Sequence, residues 1–220
     1  RIKFELKELI KNFPSDRIGL IIFSSEAYMQ CPLTFDQNVI QLYLDGLNTG
    51  LVPNAGTDLS GPLRMALDRF VSDVSPEVKS KSVVLISDGE DFGGEYEDVA
   101  ASLAEAGIKV FSLGIGTDAG SSIPRGNGVV IDPNTGRPAE TRLDRDALQK
   151  IAIETGGRYF EISDVSQEVS DLIGNLERLE GGTIGTRQVE ASSNKYFYFL
   201  LAGLILSVLD MILPIKTIKL

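Results

Sequence analysis

Three observations predict an α/β domain built on a doubly wound, mostly parallel sheet. Short apolar runs alternate along the chain with longer stretches of helical periodicity. Those runs are almost continuously apolar instead of alternating, the pattern of strands covered on both faces. The chain has 220 residues, 43% hydrophobic and 24% charged, enough for one substantial domain with additions and not comfortably for two.

The elements follow in order. Phe4, Leu6, Leu9, Ile10 and Phe13 recur at helical spacing, and Pro14-Ser15-Asp16 ends that helix. It is already under way at Arg1, with neither an initiator Met nor a signal peptide, so the chain reads as a fragment. RIGLIIFS, from Arg17 to Ser24, is a buried strand. Ala27 to Leu33 is a shorter one, edge-like because Pro32 cannot donate to a ladder. Helical periodicity from Asn38 to Leu47 is followed by a Gly-, Pro- and Asn-rich loop, then Thr57 and a helix from Leu59 to Val74. The next buried strand, SVVLIS from Ser82 to Ser87, runs straight into Asp88-Gly89-Glu90-Asp91. A helix from Tyr96 to Ala106 is closed by Gly107, and Lys109 to Ile115 is another buried strand.

Residues 117–143 break this rhythm. Their Gly and Pro content, and the turn at Asp132-Pro133-Asn134-Thr135-Gly136 after Val129-Val130-Ile131, predict an inserted β-hairpin. Asp144 is placed to cap a helix from Arg145 to Thr155. Gly156-Gly157 turns into a strand from Arg158 to Ile162, and a last helix covers Val165 to Leu179. The globular domain is expected to span 1–180, with a polar linker at 181–195.

Tyr196 to Leu213, YFYFLLAGLILSVLDMIL, is 18 residues with one charge, Asp210. A buried core helix is one reading. Its place after a complete-looking domain and a linker favours a transmembrane helix, about 27 Å long against a ~30 Å hydrocarbon core. A short tail, 214–220, would follow it. Lys216 and Lys219 favour a cytoplasmic C-terminus, which would put the acidic domain on the periplasmic side of a bacterial inner membrane.

Charge and composition narrow the functions. Thirty-one acidic against 21 basic residues give a net charge of −10, a surface that phosphate backbones repel, so no nucleic acid is expected as a partner. No histidine is present, which removes Ser-His-Asp and Cys-His catalysis and His-ligated zinc. The single cysteine, Cys31, lies in an apolar run and reads as a buried, inert thiol. Gly114-Ile115-Gly116 precedes an insertion instead of a helix, so it is not a dinucleotide loop. Ser192-Ser193-Asn194-Lys195 lacks the companion motifs of a serine hydrolase.

The most informative residues are Thr57 and Asp88, on loops that each lead toward a helix. A hydroxyl and a carboxylate on neighbouring loops at the carboxyl ends of strands are hard oxygen ligands suited to Mg²⁺, Mn²⁺ or Ca²⁺. On spacing alone Thr57 also fits a helix cap, and Asp88 a turn residue. The adjacent Glu90, Asp91, Glu95, Glu97 and Asp98 read either as a solvated acidic face at a helix N-terminus or as a rim that draws cations or a basic partner.

NAGTDLSGPLRMAL, VVLISDGED, AGIKVFSLGIGT and LQKIAIETGGRYF together resemble the von Willebrand factor A (VWA) fold over about residues 1 to 178. The insertion GVVIDPNTGRPAETRLD and the apolar C-terminal run resemble, more narrowly, the bacterial Bat (aerotolerance) membrane proteins. The resemblance implies a metal-ion-dependent adhesion site (MIDAS) built from three loops: a D-x-S-x-S loop after the first strand, a Thr matched by Thr57, and an Asp matched by Asp88. It also implies that the chain lacks that first strand and its D-x-S-x-S loop, so the metal, Mg²⁺ or Mn²⁺/Ca²⁺, would need residues this chain does not contain. The implied role is a membrane-anchored module docking a protein partner, with other Bat proteins and a MoxR-type AAA+ ATPase as implied partners, in envelope assembly or stress tolerance. Two alternatives stand beside it: a metal-independent scaffold with a vestigial site, and a metal-dependent hydrolase. The hydrolase is disfavoured because Asp88 is the only matched carboxylate.

Overall fold

Helix α1 (Ile2–Lys11) turns its apolar stripe inward, burying Ile10, while Phe13 just beyond it plugs the core. Strand β1 (Ile18–Phe23) then forms an antiparallel hairpin with β2 (Ala27–Thr34), in which Ile22 pairs with Tyr28 and Ile18 with Thr34. Helix α2 (Gln37–Gly46) starts at Asp36, whose carboxylate accepts the N–H groups of Asn38 and Val39. A short 3₁₀ turn follows, and then α3 (Ser60–Asp73), β3 (Ser82–Ser87), α4 (Tyr96–Glu105) and β4 (Lys109–Ile115). As expected, Gly107 closes α4 at φ +70°, and Asp144 caps α5 (Arg145–Glu154) by accepting the Asp146 N–H. Strand β9 (Tyr159–Ile162) and α6 (Gln167–Gly181) complete the domain.

Between β4 and α5, the insertion makes two small antiparallel ladders. β5 (Ser121–Ser122) pairs with β8 (Glu140–Thr141), and β6 (Pro124–Arg125) pairs with β7 (Gly128–Val129). A single bridge joins Ile131 to Pro138. The expected hairpin is therefore a nested pair, and its turn at 132–135 lies outside the described residues.

The structure, a computed structural model, describes residues 2–52, 56–75, 78, 80–91, 95–116, 120–122, 124–125, 128–129, 131, 136–138, 140–162, 167–181, 200–201 and 203–207. These belong to two units, Arg1–Thr183 and Ile184–Leu220. In the second unit, 200–201 and 203–207 are helical and their leucines exposed.

The expected transmembrane helix at 196–213 is corrected: among the described residues no helix is long and apolar enough to cross a membrane. Apolarity over a run sets what it can be buried in; it does not fix one unbroken helix of spanning length. The rest of 196–213, the linker beyond Gly181 and the tail 214–220 lie outside the described residues.

The α/β architecture is as predicted, with one difference in the sheet. β3, β4 and β9 form a parallel three-stranded sheet, and β1–β2 form a separate pair. Helices cover both sides. Leu59 and Leu63 of the α3 region, Val99 and Leu103 of α4, and Leu148 and Ile151 of α5 pack on one face, around Leu85 and Val110. On the other, Phe13, Leu172 and Leu176 pack on Phe111, Leu113 and Phe160. A third cluster, Ile10, Cys31, Ile40 and Leu44, joins α1 and α2 to the β1–β2 pair. Cys31 is 1% exposed and its Sγ–H donates to Pro32 O, which matches the inert thiol expected. Burial raises the thiol's pKa.

The end of α5 is tied to the sheet by one hydroxyl. Thr155 Oγ1 donates to Ile151 O at 2.9 Å and accepts from the Val110 N–H at 3.0 Å. Gly157 follows so closely that a Cβ there would lie 1.9 Å from Val110 O, so only glycine fits that turn.

Candidate metal-ion site

The carboxyl ends of β1 and β3 lie at one end of the domain, and hydrogen bonds across the loops show it. Ser24 O, just past β1, accepts the Asp58 N–H at 2.8 Å. The Leu59 N–H donates to Asp91 Oδ1, three residues beyond Asp88, at 2.9 Å. These two bonds bring the loop of Thr57 beside the loop of Asp88.

Thr57 is half-buried and is not the cap of α3. Asp58 takes that task, its Oδ1 accepting the Ser60 N–H at 2.8 Å and the Ser60 hydroxyl at 2.7 Å. The hydroxyl of Thr57 is thus left out of the helix start. Asp88 is also half-buried, directly after β3. Desolvation is the first cause of a raised carboxyl pKa there, and the charge of Glu90 adds to it. The Glu90 N–H and the Ser87 hydroxyl donate to the carboxylate and oppose the rise without cancelling it. Among the described residues no lysine or arginine pairs with Asp88.

The Asp88 loop is locked to the start of α5. The Asp144 N–H donates to Asp88 O at 2.8 Å, and Gly89 sits at φ +82° with a Cβ position only 1.9 Å from Asp144 O. A side chain at Gly89 would collide with backbone, so the loop after Asp88 requires glycine.

The acidic run is divided in a way sequence reasoning missed. Asp91 caps the neighbouring loop, and Glu90 Oε1 accepts the Arg142 N–H at 3.0 Å, where the inserted ladders rejoin the fold. Glu95 and Glu97 only approach Arg64 and Lys150, at 3.9 and 3.5 Å, across exposed surface. Asp98 is exposed in the first turn of α4. Two of the five are therefore backbone ties, and the remainder form a solvated face. A hint was present: Asp91 follows Asp88 closely enough for one turn to aim the two carboxylates at different loops.

As a donor set, Thr57 and Asp88 offer two hard oxygens, which suit Mg²⁺, Mn²⁺ or Ca²⁺ and not a soft metal. Among the described residues no three carboxylate, thiol or imidazole side chains converge on one point. A six-coordinate ion here needs oxygen ligands beyond these two side chains.

The model of the von Willebrand factor type A domain matches residues 1–175. The chain belongs to the VWA family. The VWA match spans both loops of the site. A crystal structure of the conserved hypothetical protein BatB from Bacteroides thetaiotaomicron superposes with a TM-score of 0.76 at 25% identity, covering 82% of this chain and 87% of that one. An aerotolerance-related membrane protein from Bacteroides fragilis gives 0.70 at 26% identity, over 80% of this chain and 88% of the other. The structural neighbours are thus Bat-type proteins, as the motifs implied. An uncharacterized protein of Borreliella burgdorferi is 27% identical over 174 residues, 74% of this chain and 48% of its own length. The chain therefore spans about half the length of that curated relative. Proximal thread matrix protein 1 of the mussel byssus, whose MIDAS motif holds zinc in one crystal structure, shares the fold alone, with a TM-score of 0.54 and 16% identity.

Proposed function

We propose that this VWA domain is a protein-interaction module that docks a carboxylate-bearing partner through a divalent cation, with Thr57 and Asp88 among the cation's ligands. The observation that carries this reading is the state of Asp88. A half-buried carboxylate whose charged form is disfavoured, with no cationic partner among the described residues, is stabilised by a cation more than a solvated one would be. Mg²⁺ or Mn²⁺ fits the all-oxygen donors, and Ca²⁺ fits if the coordination expands. The remaining ligands would come from the D-x-S-x-S loop that the family resemblance implies, from water, and from the partner.

An interaction role agrees with the family membership and with Bat-type neighbours. In this reading the module works at a bacterial inner membrane, facing the periplasm, with other Bat proteins and a MoxR-type ATPase as partners; the membrane-protein neighbour from Bacteroides fragilis supports the membrane part. A metal-independent scaffold is the second reading, supported by the small donor set: Thr57 and Asp88 offer two side-chain oxygens where a six-coordinate ion needs more. Hydrolase chemistry has less support, since no histidine is present to act as a base.

The test is calorimetric titration of the full-length protein with Mg²⁺ and with Mn²⁺, beside Thr57→Ala and Asp88→Ala. Binding lost in both variants supports the docking site. Binding absent from the parent, or unchanged in both variants, leaves the scaffold reading.

A further inference from the structure

Hydrophobic burial does not account for the insertion between β4 and α5. Among the described residues, none of the three core clusters takes a side chain from between Ile115 and Leu143, and Val129 and Ile131 are exposed. Its polar ties lead to the Asp88 loop instead. The stem is held by β5 and β8, where Ser121 pairs with Thr141, and Gly120 lies so close to Arg142 that an added Cβ would sit 3.2 Å from Cγ. β8 thus delivers Arg142 to a fixed place. From there the chain runs along the Asp88 loop: the Arg142 N–H donates to Glu90 Oε1 at 3.0 Å, and the Asp144 N–H to Asp88 O at 2.8 Å. Arg145 then grips Glu161 of β9 through Nε and Nη2, both at 2.8 Å. Residues 142–145 form a bar, fixed by the stem at one end and by the sheet at the other, on which the loop of Asp88 hangs.

The two ties differ in kind. The Asp144–Asp88 bond joins backbone to backbone, whereas the Glu90–Arg142 bond depends on one half-buried side chain. Glu90 is held twice. Its carboxylate rests on Arg142, and its own N–H donates to the Asp88 carboxylate. Between them Gly89 is buried, with its N–H on Ser87 Oγ at 3.1 Å and no room for a Cβ against Asp144 O. With Gly89 pinned, anchoring the Glu90 side chain fixes the N–H that aims Asp88, as an outer group orients a ligand.

We propose that Glu90 is a positioning residue for Asp88, and that the insertion serves the site by fixing the backbone N–H on which Glu90 rests. The order of action is stem, Arg142, Glu90, Asp88. Glu90 supplies no ligand of its own in this arrangement; it acts through the orientation of its neighbour. Whatever grips the paired stem is then felt at Asp88, and whatever binds Asp88 is felt in the stem, because such coupling is reciprocal. The consequence for a cation rests on the reading of Thr57 and Asp88 as its ligands; the consequence for the loop does not.

The test compares the full-length parent with Glu90→Ala, Glu90→Gln, and a chain in which residues 121–140 are replaced by a Gly-Gly turn. Hydrogen exchange in metal-free buffer is read at the amides of Gly89 and Asp144, which bond groups that none of the changes removes. Both amides are expected to exchange at least about tenfold faster in Glu90→Ala and in the shortened chain, and near the parent rate in Glu90→Gln, which keeps an acceptor for Arg142. The buried strand β4 should exchange slowly in all four, which separates a local release from general loosening. Calorimetric titration with Mn²⁺ should show affinity lowered about tenfold or more in the first two and within roughly threefold of the parent in Glu90→Gln. If the shortened chain does not fold, the two Glu90 variants decide both readouts. Equal exchange at Gly89 and Asp144 in all chains overturns the proposal. So does a Gln variant as impaired as Ala, which would mean that the charge of Glu90 acts directly. A parent that binds no Mn²⁺ removes the docking reading, and the exchange rates then decide for or against the positioning role by themselves.

Discussion

Removing the Asp91 carboxylate isolates the tie between the two loops of the site. Asp91 Oδ1 accepts the Leu59 N–H at 2.9 Å, and Leu59 is fully buried at the start of α3, so the donor loses a partner where water reaches it poorly. A hydrogen bond to a charged acceptor contributes about 1.5–3 kcal/mol. The carboxylate also faces the positive end of α3, worth roughly 0.3–1 kcal/mol. The two overlap, and Asp91 is only half-buried, so Asp91→Ala is expected to cost about 2 kcal/mol. Asp91→Asn keeps an acceptor oxygen and loses the charge, so its cost should be about half of that. Urea unfolding followed by circular dichroism measures both, and for a domain of this size about 2 kcal/mol lowers Tm by roughly 4–8 °C. A cost for Asp91→Ala below about 0.5 kcal/mol, or an Asn variant as damaged as Ala, would refute the assignment of Asp91 as a charged cap.

Thr155→Val should destabilise by about 1–3 kcal/mol in the same assay, because it strands the buried Val110 N–H, while Thr155→Ser should retain most of the stability. Ser112, 0% exposed with an unpartnered hydroxyl in β4, should tolerate alanine without loss or with a small gain, read as an unchanged or raised urea midpoint. Asp88 has a raised folded-state pKa, so the folded state binds its proton more tightly than the unfolded chain does. The stability it contributes is present below the unfolded pKa and lost as pH rises through the folded one. In metal-free buffer Asp88→Asn should therefore be more stable than the parent at neutral pH, with the difference shrinking as pH falls into the carboxylate range, as paired melts across pH will record.

Much of this was legible in the sequence, and the rest was hidden for identifiable reasons. The continuous apolar runs at Ser82–Ser87 and Lys109–Ile115 read directly as sheet strands, and the caps at Gly107 and Asp144 read from residue type, because backbone conformation limits what those positions accept. The family and the placement of Thr57 and Asp88 at one end came from motifs whose spacing is set by the strand-to-loop transitions. What escaped was pairing at a distance. Asp58 and Asp91, not Thr57, serve the start of α3, and no local pattern distinguishes a carboxylate that caps a neighbouring loop from one that faces solvent. Glu90 bonding Arg142 N across the insertion is of the same kind. The span expected at 196–213 is not supported among the described residues, because hydropathy reports a preference for apolar surroundings and not a helix of spanning length.

Cys31 turns the division of the sheet into something that can be timed. It is the only thiol in this 220-residue sequence, sits in β2 opposite Leu20, and is sealed beneath Ile40 and Leu44. Among the described residues the β1–β2 pair shares no strand hydrogen bonds with β3–β4–β9, so side-chain packing, such as that of Ile18 with Val84 and Ile86 on one cluster, couples the opening of one to the other. A thiol-labelling clock is therefore built into one half alone. Its rate, set against the global unfolding rate of the same unmodified protein, reads out whether the domain breathes as one body or as two leaves.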